Sequence, residues 1–332
     1  MGKSSLLIWC GNLILQKDLH HVYLILRNLL YLIKSFEQFF KERGVSMKII
    51  HLLKGSKPGV SCELFPPKQG SQLANALEIV DTIAEQKPSF ISVTYGAGGS
   101  NAGEAVAVAA EVHKCGIPSM AHFTCINADD QGIEAMLKQL QAKGIDNVLA
   151  LRGDLPEGTS LEHAEYQHAS DLAKKIKSFG DFCVGGACYP EGHPESAGLN
   201  DDIEKLKIKV DSGVEFLVTQ MFFDNDVMYN YMYRLLAHGI TVPVVPGVMP
   251  VTNAKQIQHI CKLSGTKLPL RFRAIVEKYG DDPEAMKQAG INYATTQVLD
   301  LLANGFMDVH IYTMNRPEII GGILQNLSYI VK

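Results

Sequence analysis

From Met47 to the C-terminus, strand-like and helix-like segments alternate along the chain. Short runs of β-branched and apolar residues are separated by segments of helical periodicity, and up to the seventh run this unit recurs roughly every 30 residues. Eight such runs are present, with one long helical interval before the last. Since no linker divides them, this pattern predicts one α/β domain over 47–332: a (β/α)8 TIM barrel with an extra helical insertion before the last strand.

The boundaries of these elements follow from the two periodicities, two residues for strands and 3.6 for helices. The predicted strands cover 60–64, 90–95, 117–125, 147–151, 182–189, 216–220, 242–248 and 308–312. The predicted helices cover 72–86, 104–114, 131–143, 169–179, 201–212, 226–238, 252–263, 269–279, 283–304 and 317–327. Thr252 is the predicted N-cap of its helix.

Residues 1–46 do not continue this pattern. They form an apolar extension interrupted by charged residues and histidines, and no uninterrupted apolar run approaches the ~20 residues needed to cross a bilayer. We expect translation to start at Met47, because the segment 41–44 can be encoded by a purine-rich stretch that resembles a ribosome-binding site. The alternative is an amphipathic helix, centred on 19–40, that binds a membrane surface or a partner.

Composition excludes several classes of protein. The net charge is −4 and the sequence pI about 6.3, so no basic surface indicates a nucleic-acid partner. The seven cysteines form no CxxC pair, and several lie within apolar runs. This usage is typical of a reduced, cytoplasmic protein rather than a disulfide-linked one.

The strand before Pro66 carries an unusual carboxylate. Val60, Cys62 and Leu64 alternate with Ser61 and Glu63, and two prolines then end the strand. A carboxylate in a strand is either solvated at an edge or buried and paired. The alternation predicts that Ser61 and Glu63 face the barrel interior.

Polar residues or glycines also follow most of the other predicted strands, at their C-terminal ends. They are Thr94, His122, Arg152-Gly153-Asp154, the segment 189–193, Thr219-Gln220 and Asn315-Arg316. In a (β/α)8 barrel these ends lie on one rim, where the loops build the active site. Taken singly, each residue has a structural explanation: His122 as a core histidine, or Arg152 and Asp154 as an ion pair. Their coincidence predicts one polar site on a single rim.

Spacing tests the common cofactor motifs. The glycine-rich segment 96–103 resembles a dinucleotide turn, but Asn101 stands where GxGxxG requires glycine. No GxxxxGK[ST] or HExxH motif occurs. Glu63, His122, Asp154 and His193 could gather round a metal, so a metal-dependent barrel lyase or hydrolase stays open. A non-catalytic subunit that docks through the N-terminal apolar stretch is a further alternative.

Eight motifs, in order, resemble those of the methylenetetrahydrofolate reductase family. They are SCELFPP at 61–67, VTYGA at 93–97, HFTC at 122–125, LALRGD at 149–154, YPEGHP at 189–194, TQMFFD at 219–224, PGVMP at 246–250 and YTMNR at 312–316. The resemblance runs from about Val60 to the end. It implies an oxidoreductase of one-carbon metabolism and methionine biosynthesis that reduces 5,10-methylenetetrahydrofolate to 5-methyltetrahydrofolate by a ping-pong reaction at one FAD.

The resemblance also implies the rest of the assembly. The electron donor would be NADH, NADPH or a partner electron-transfer subunit, and the protein would be a cytoplasmic homo-oligomer without a resident metal. Because the sequence ends at Lys332, we expect a bacterial-type chain with the catalytic domain alone, without the regulatory domain that binds S-adenosylmethionine.

Carried over position by position, the resemblance implies specific roles. Glu63 matches the general acid, and Asp154 a carboxylate near the flavin and the pterin. The positions that match FAD contacts are Thr94, His122, Arg152, Gly153, Asp154, Tyr189, His193, Asp202 and Lys209. The positions that match folate contacts are Gln220, Gln256 and Arg316. The sequence departs from some members near Ile260, where they carry an aromatic clamp, and in the glycine-rich loop 98–103.

Overall fold

The computed structural model describes residues 47–67, 70–95, 102–126, 128–154 and 164–331. Within these ranges every strand pairing is parallel. The strands are β1 (Gly59–Leu64), β2 (Ile91–Val93), β3 (Ser119–Thr124), β4 (Asn147–Leu151), β5 (Cys183–Cys188), β6 (Phe216–Thr219), β7 (Val244–Val245), β8 (Gly247–Val248) and β9 (Asp308–Tyr312).

Helices separate the strands, except between β7 and β8, and the periodicity predicted all of these helices except α1. They are α1 (Ile49–Leu53), α2 (Leu73–Ala84), α3 (Ala102–Lys114), α4 (Asp130–Ala142), α5 (Ala169–Phe179), α6 (Leu199–Asp211), α7 (Asn225–Ala237), α8 (Ala254–Ser264), α9 (Leu270–Tyr279), α10 (Pro283–Ala303) and α11 (Pro317–Asn326), with a 3-10 turn at Gly70–Gln72. Among the described helices, none is long and apolar enough to cross a membrane.

The sheet closes into a barrel through β7 and β8. Its strand order runs β7-β6-β5-β4-β3-β2-β1-β9-β8, so its two ends are neighbours in sequence. Pro246 alone separates them, and the predicted single strand over 242–248 is therefore wrong: it is two short strands around a residue with no N–H to donate. The Pro246 carbonyl accepts a hydrogen bond from the His310 N–H at 2.8 Å, and this bond keeps the barrel closed at Pro246. The predicted (β/α)8 fold is confirmed.

Two apolar cores lie on opposite faces of the strands. Val60, Cys62 and Leu64 belong to the core between the strands and the surrounding helices. A second core fills the barrel, where α1 places Ile49 and Leu53 against interior residues of the strands. The helix α1 thus closes the N-terminal end of the barrel, which leaves the opposite end for the site.

The predicted helical insertion before the last strand is present as α9 and α10. It forms its own apolar cluster with α8, which includes Phe223, Val251 and Phe272. The predicted N-cap of α8 is wrong by one residue, because the Asn253 side chain, not Thr252, accepts from the Gln256 N–H at 3.0 Å. Thr252 instead accepts from Arg316 at 2.7 Å, a contact that joins α8 to the loop after β9.

Candidate active site

A cavity of about 390 Å³ opens at the C-terminal ends of the strands. Four of the predicted site residues line it: Glu63, His122, Tyr189 and Gln220. Its other walls are largely apolar and include Leu149, Leu151, Ala187, Val218, Met249, Ile260 and Met314. A mostly apolar cavity with a few convergent polar groups is the usual form of a small-molecule site.

Glu63 is the buried acid of this cavity. It is 8% exposed, and burial raises the pKa of its carboxyl to about 8. Oε2 lies 3.6 Å from Nε2 of His122, and burial lowers the pKa of that imidazole to about 4. Since Glu63 is protonated and His122 neutral at pH 7, the two form no ion pair. Nε2 of His122 has no hydrogen-bond partner among the described residues, so it is free to contact a ligand.

Tyr312, which the sequence reasoning did not single out, spans the cavity next to Glu63. Its hydroxyl donates to the Thr219 carbonyl at 2.6 Å, and burial raises its pKa well above the usual range. The ring fits because residue 247 is glycine: a Cβ there would lie 2.7 Å from the ring and 2.4 Å from the Thr219 carbonyl oxygen. Gly247 and Tyr312 lie on the neighbouring strands β8 and β9, and the contact between them leaves no signal in the sequence.

Gln256 and Arg316 lie together in an adjoining pocket of about 40 Å³, which shares Met249, Ile260 and Met314 with the main cavity. The Arg316 guanidinium donates to Thr252 at 2.7 Å and to Glu318 at 2.9 Å. The two predicted folate positions therefore sit beside the cavity that holds Glu63 and Gln220, not within it. Such a separation suits a ligand with a ring at one end and an anionic group at the other.

The loops after β4 and β5 bring the next set of predicted residues together. The Arg152 guanidinium binds both carboxylate oxygens of Glu195, at 2.6 and 2.7 Å, and Glu195 was not predicted. The rings of Tyr189 and His193 meet edge to face at 4.6 Å. Burial raises the pKa of Tyr189 to about 12 and lowers that of His193. This side of the rim thus combines a cation with aromatic surfaces.

Lys209 and Asp202 extend the same side from α6. The Lys209 ammonium donates to the Ala187 carbonyl at 2.8 Å, and burial lowers its pKa. Asp202 is half-buried, and burial raises its pKa despite the nearby Lys209. The Lys209 amine, half-buried beside the end of β5, gains from an anionic ligand, because that ligand replaces the hydration that the amine has lost.

The remaining predicted residues lie at the edge of the site. Gly153 has φ +93°, and a Cβ there would come within 2.6 Å of Ile126. Asp154 is exposed beside it. The Thr94 N–H donates to the Leu64 carbonyl at 2.9 Å, just beyond β2. Residues 96–101 of the glycine-rich loop lie outside the described residues, as do residues 1–46.

The residues present fit a flavin dinucleotide better than a metal ion. Apolar walls with the free Nε2 of His122 suit a flat heteroaromatic ring, and Lys209 offers a cation for a diphosphate. The Arg152 cation lies on the same side of the rim but is bound here to Glu195. Among the described residues, one group of acidic and thiol side chains is close enough to share an ion. It comprises Asp81 on α2, Glu111 on α3 and Cys115 just after α3. No such group is formed, among the described residues, by the four side chains that the sequence offered as metal ligands: Glu63, His122, Asp154 and His193.

Comparison with known proteins gives a consistent family. Residues 48–328 match the family "Methylenetetrahydrofolate reductase". The chain is 36% identical to methylenetetrahydrofolate reductase (NADH) 1 of Arabidopsis thaliana, over 86% of this chain and 51% of the relative. It is 33% identical to the 5,10-methylenetetrahydrofolate reductase of Escherichia coli, over 81% of this chain and 90% of the relative. The chain thus spans about half the length of the plant relative and most of the bacterial one.

A solved structure supports the fold independently. A protein from Clostridium thermocellum, which binds two copies of 5-methyl-5,6,7,8-tetrahydrofolic acid, superposes with a TM-score of 0.58 over 84% of this chain and 98% of its own. At 12% sequence identity, this likeness establishes the barrel architecture and nothing finer.

Proposed function

The chain belongs to the methylenetetrahydrofolate reductase family, and from this we propose that it reduces 5,10-methylenetetrahydrofolate to 5-methyltetrahydrofolate in a ping-pong reaction at one FAD. The observation that carries the proposal is Glu63, a carboxylic acid kept protonated by burial inside the rim cavity. A reductase of this substrate needs such an acid, because the methylene carbon accepts a hydride only after its ring opens.

Glu63 is the proposed general acid. Its O–H bond breaks, the proton goes to the leaving nitrogen of the folate ring, and the C–N bond opens to an electrophilic iminium carbon. When bound, FAD supplies the hydride acceptor and donor that links the electron donor to this carbon. A pKa of about 8 keeps the acid form in the majority at neutral pH while leaving it able to donate.

The other residues bind and orient. We assign the FAD diphosphate to Arg152 and Lys209, and the flavin surroundings to Thr94, His122, Gly153, Asp154, Tyr189, His193 and Asp202. We assign Gln220 to a hydrogen bond with the pterin, and its position in the lining of the cavity that holds Glu63 supports this assignment. Gln256 and Arg316, in the adjoining pocket, suit the glutamate carboxylate of the substrate. Asp154, at the exposed edge, is assigned to stabilising positive charge on the opened folate.

Electron donor and assembly complete the proposal. We propose NADH or NADPH as the donor, and the name of the Arabidopsis relative, methylenetetrahydrofolate reductase (NADH) 1, supports NADH. We further propose a cytoplasmic homo-oligomer, with a partner electron-transfer subunit as the alternative donor. Residues 47–332 form the catalytic domain in this proposal.

The test is to purify the full chain and add donors under anaerobic conditions. We expect a yellow protein whose flavin absorbance bleaches with NADH or NADPH and returns with 5,10-methylenetetrahydrofolate. Bleaching only with a co-purifying subunit would assign the donor to that subunit. A colourless protein that contains metal would replace the proposal with the metal-dependent lyase or hydrolase.

A further inference from the structure

The turn after β9 holds two residues in an unusual backbone conformation. Met314 and Asn315 have φ of +53° and +58°, in the left-handed region where the Cβ of most residues is crowded. Two consecutive non-glycine residues persist there only when other contacts fix them. The contacts that fix this turn are made with the end of β1, the strand that carries Glu63.

Asn315 binds the backbone of Phe65 with both ends of its amide. Its Oδ1 accepts from the Phe65 N–H at 2.8 Å, and its Nδ2 donates to the Phe65 carbonyl at 2.8 Å. Thr313 donates to the Glu63 carbonyl at 2.8 Å. The register between β1 and β9 ends with Glu63 opposite Tyr312. The side chains of Thr313 and Asn315 therefore continue the ladder where the backbone pairing stops; we call this pair the clasp.

The clasp binds the chain at the point where the backbone hydrogen bonds of β1 end. Phe65 follows the last residue of β1 and precedes two prolines, and Pro66 and Pro67 have no N–H with which to continue the pairing. Phe65 and Glu63 both line the cavity. Movement of the backbone at Phe65 would carry the Glu63 carboxyl with it.

We propose that Asn315 is a positioning residue, whose side-chain amide holds Phe65, and through it Glu63, in the geometry for proton donation to the folate. This inference rests on the proposed function and adds a residue to it. Because flavin reduction by NADH requires no proton from Glu63, the clasp affects only the half-reaction with folate.

Two variants separate the amide from the turn conformation. Asn315→Gly keeps access to the left-handed region but removes both hydrogen bonds to Phe65. Asn315→Ala removes the bonds and adds backbone strain. Asn147→Ala is the matched control, because the Asn147 amide accepts from the Ile49 N–H and donates to the Met47 carbonyl at the opposite end of the barrel. This control variant loses similar side-chain hydrogen bonds to the backbone, but at a site far from Glu63.

Amide hydrogen exchange of the segment 59–67 reports the clasp without any flavin chemistry. We expect faster exchange in Asn315→Gly than in the wild type, and unchanged exchange in Asn147→Ala. Flavin absorbance in the FAD-loaded enzyme then gives the rate of each half-reaction, flavin reduction by NADH and flavin reoxidation by the folate. With Asn315→Gly, reoxidation by 5,10-methylenetetrahydrofolate should slow by on the order of 10–100-fold, with reduction by NADH within about twofold of the wild type.

Three outcomes overturn the proposal. Unchanged exchange in Asn315→Gly shows that the amide does not hold Phe65. Faster exchange with an unchanged folate half-reaction shows that the clasp does not position Glu63. Equal slowing of both half-reactions shows a general structural role. If instead the wild-type flavoprotein is not reoxidised by the folate at all, the proposed function fails, and the exchange result still reports the clasp separately.

Discussion

The Glu63 carboxyl lies 3.6 Å from Nε2 of His122, and both groups are neutral at pH 7. The distance alone is that of an ion pair, but burial disfavours charge on each group, with the pKa of Glu63 raised and that of His122 lowered. The separation is also too long for a hydrogen bond. Among the described residues, Glu63 is therefore a protonated acid with no strong partner, and its proton is available to a substrate.

Replacing Glu63 with glutamine should separate the two half-reactions. The Glu63→Gln variant keeps the shape of the side chain but cannot donate a proton from a carboxyl group. We expect flavin binding and NAD(P)H oxidation to survive, while folate reduction falls by at least about 100-fold. Stopped-flow measurement of flavin absorbance with each substrate checks this. Undiminished folate turnover would show that Glu63 is not the acid.

Glu63 should also make stability depend on pH. Its pKa is about 8 in the folded protein against an ordinary 4.5, so the folded state binds the extra proton between these values. This contribution is complete below pH 4.5 and is lost as the pH rises through about 8. We expect wild type to lose Tm relative to Glu63→Gln between pH 5 and pH 8.5.

The comparison isolates Glu63 from its surroundings. Burial raises the pKa of Asp308 to about 7, which gives the same sign, but Asp308 is present in both proteins. His122, whose pKa is lowered to about 4, affects stability below pH 6.5, and Tyr312 stays neutral throughout. A difference in Tm that does not change between pH 5 and 8.5 would mean that Glu63 is not protonated by burial.

Gly247 should not tolerate a side chain. A Cβ at this position would meet the Thr219 carbonyl oxygen at 2.4 Å and the Tyr312 ring at 2.7 Å. We expect Gly247→Ala to cost about 1–3 kcal/mol in free energy of unfolding, measured with urea. Gly103→Ala is the control, because Gly103 lies in α3, where no atom of the described residues comes within 4 Å of the added Cβ, and alanine favours the helix. Equal stability of the two variants would contradict the crowding.

Lys209 should contribute to FAD affinity through its charge. Lys209→Met retains the apolar stem but removes the ammonium that lies beside the Ala187 carbonyl. We expect the Kd for FAD to rise by about tenfold or more, because charge-assisted hydrogen bonds to a diphosphate are worth about 1.5–3 kcal/mol. Titration of apoprotein with FAD by flavin fluorescence checks this.

The control for Lys209 is Lys177→Met. Lys177 binds Glu215 and the Phe182 carbonyl at the start of β5, away from the rim. Its loss should leave the Kd for FAD unchanged. If both variants weaken FAD equally, the effect of Lys209 comes from stability and not from contact with the cofactor.

Translation from Met47 stays a prediction. The match to the family begins at residue 48, one residue after this methionine. Peptide mapping of the protein purified from its native source should find an N-terminus at Met47. Peptides from residues before Met47 would show that the extension is made, and would favour the surface-binding helix instead.

Local patterns predicted most elements to within two residues at each end. The strands Asn147–Leu151 and Asp308–Tyr312 and the helix Ala169–Phe179 have their predicted bounds. The error at 242–248 arose because apolar and β-branched residues continue through Pro246, while the missing N–H interrupts the pairing. The shifted cap at Asn253 arose because Thr252 and Asn253 are both good N-caps, and the contact of Thr252 with Arg316 decided between them.

The sequence by itself determined the barrel, the inward direction of Glu63 and the rim on which the polar residues meet, because these follow from periodicity and from parallel strands with a common direction. Only the tertiary structure decided what surrounds each side chain. The pKa of Glu63 depends on burial by residues from several strands, Tyr312 fits because of Gly247 on a neighbouring strand, and Arg152 meets Glu195 from the next loop. Such contacts join residues distant in the chain, and no local pattern encodes them.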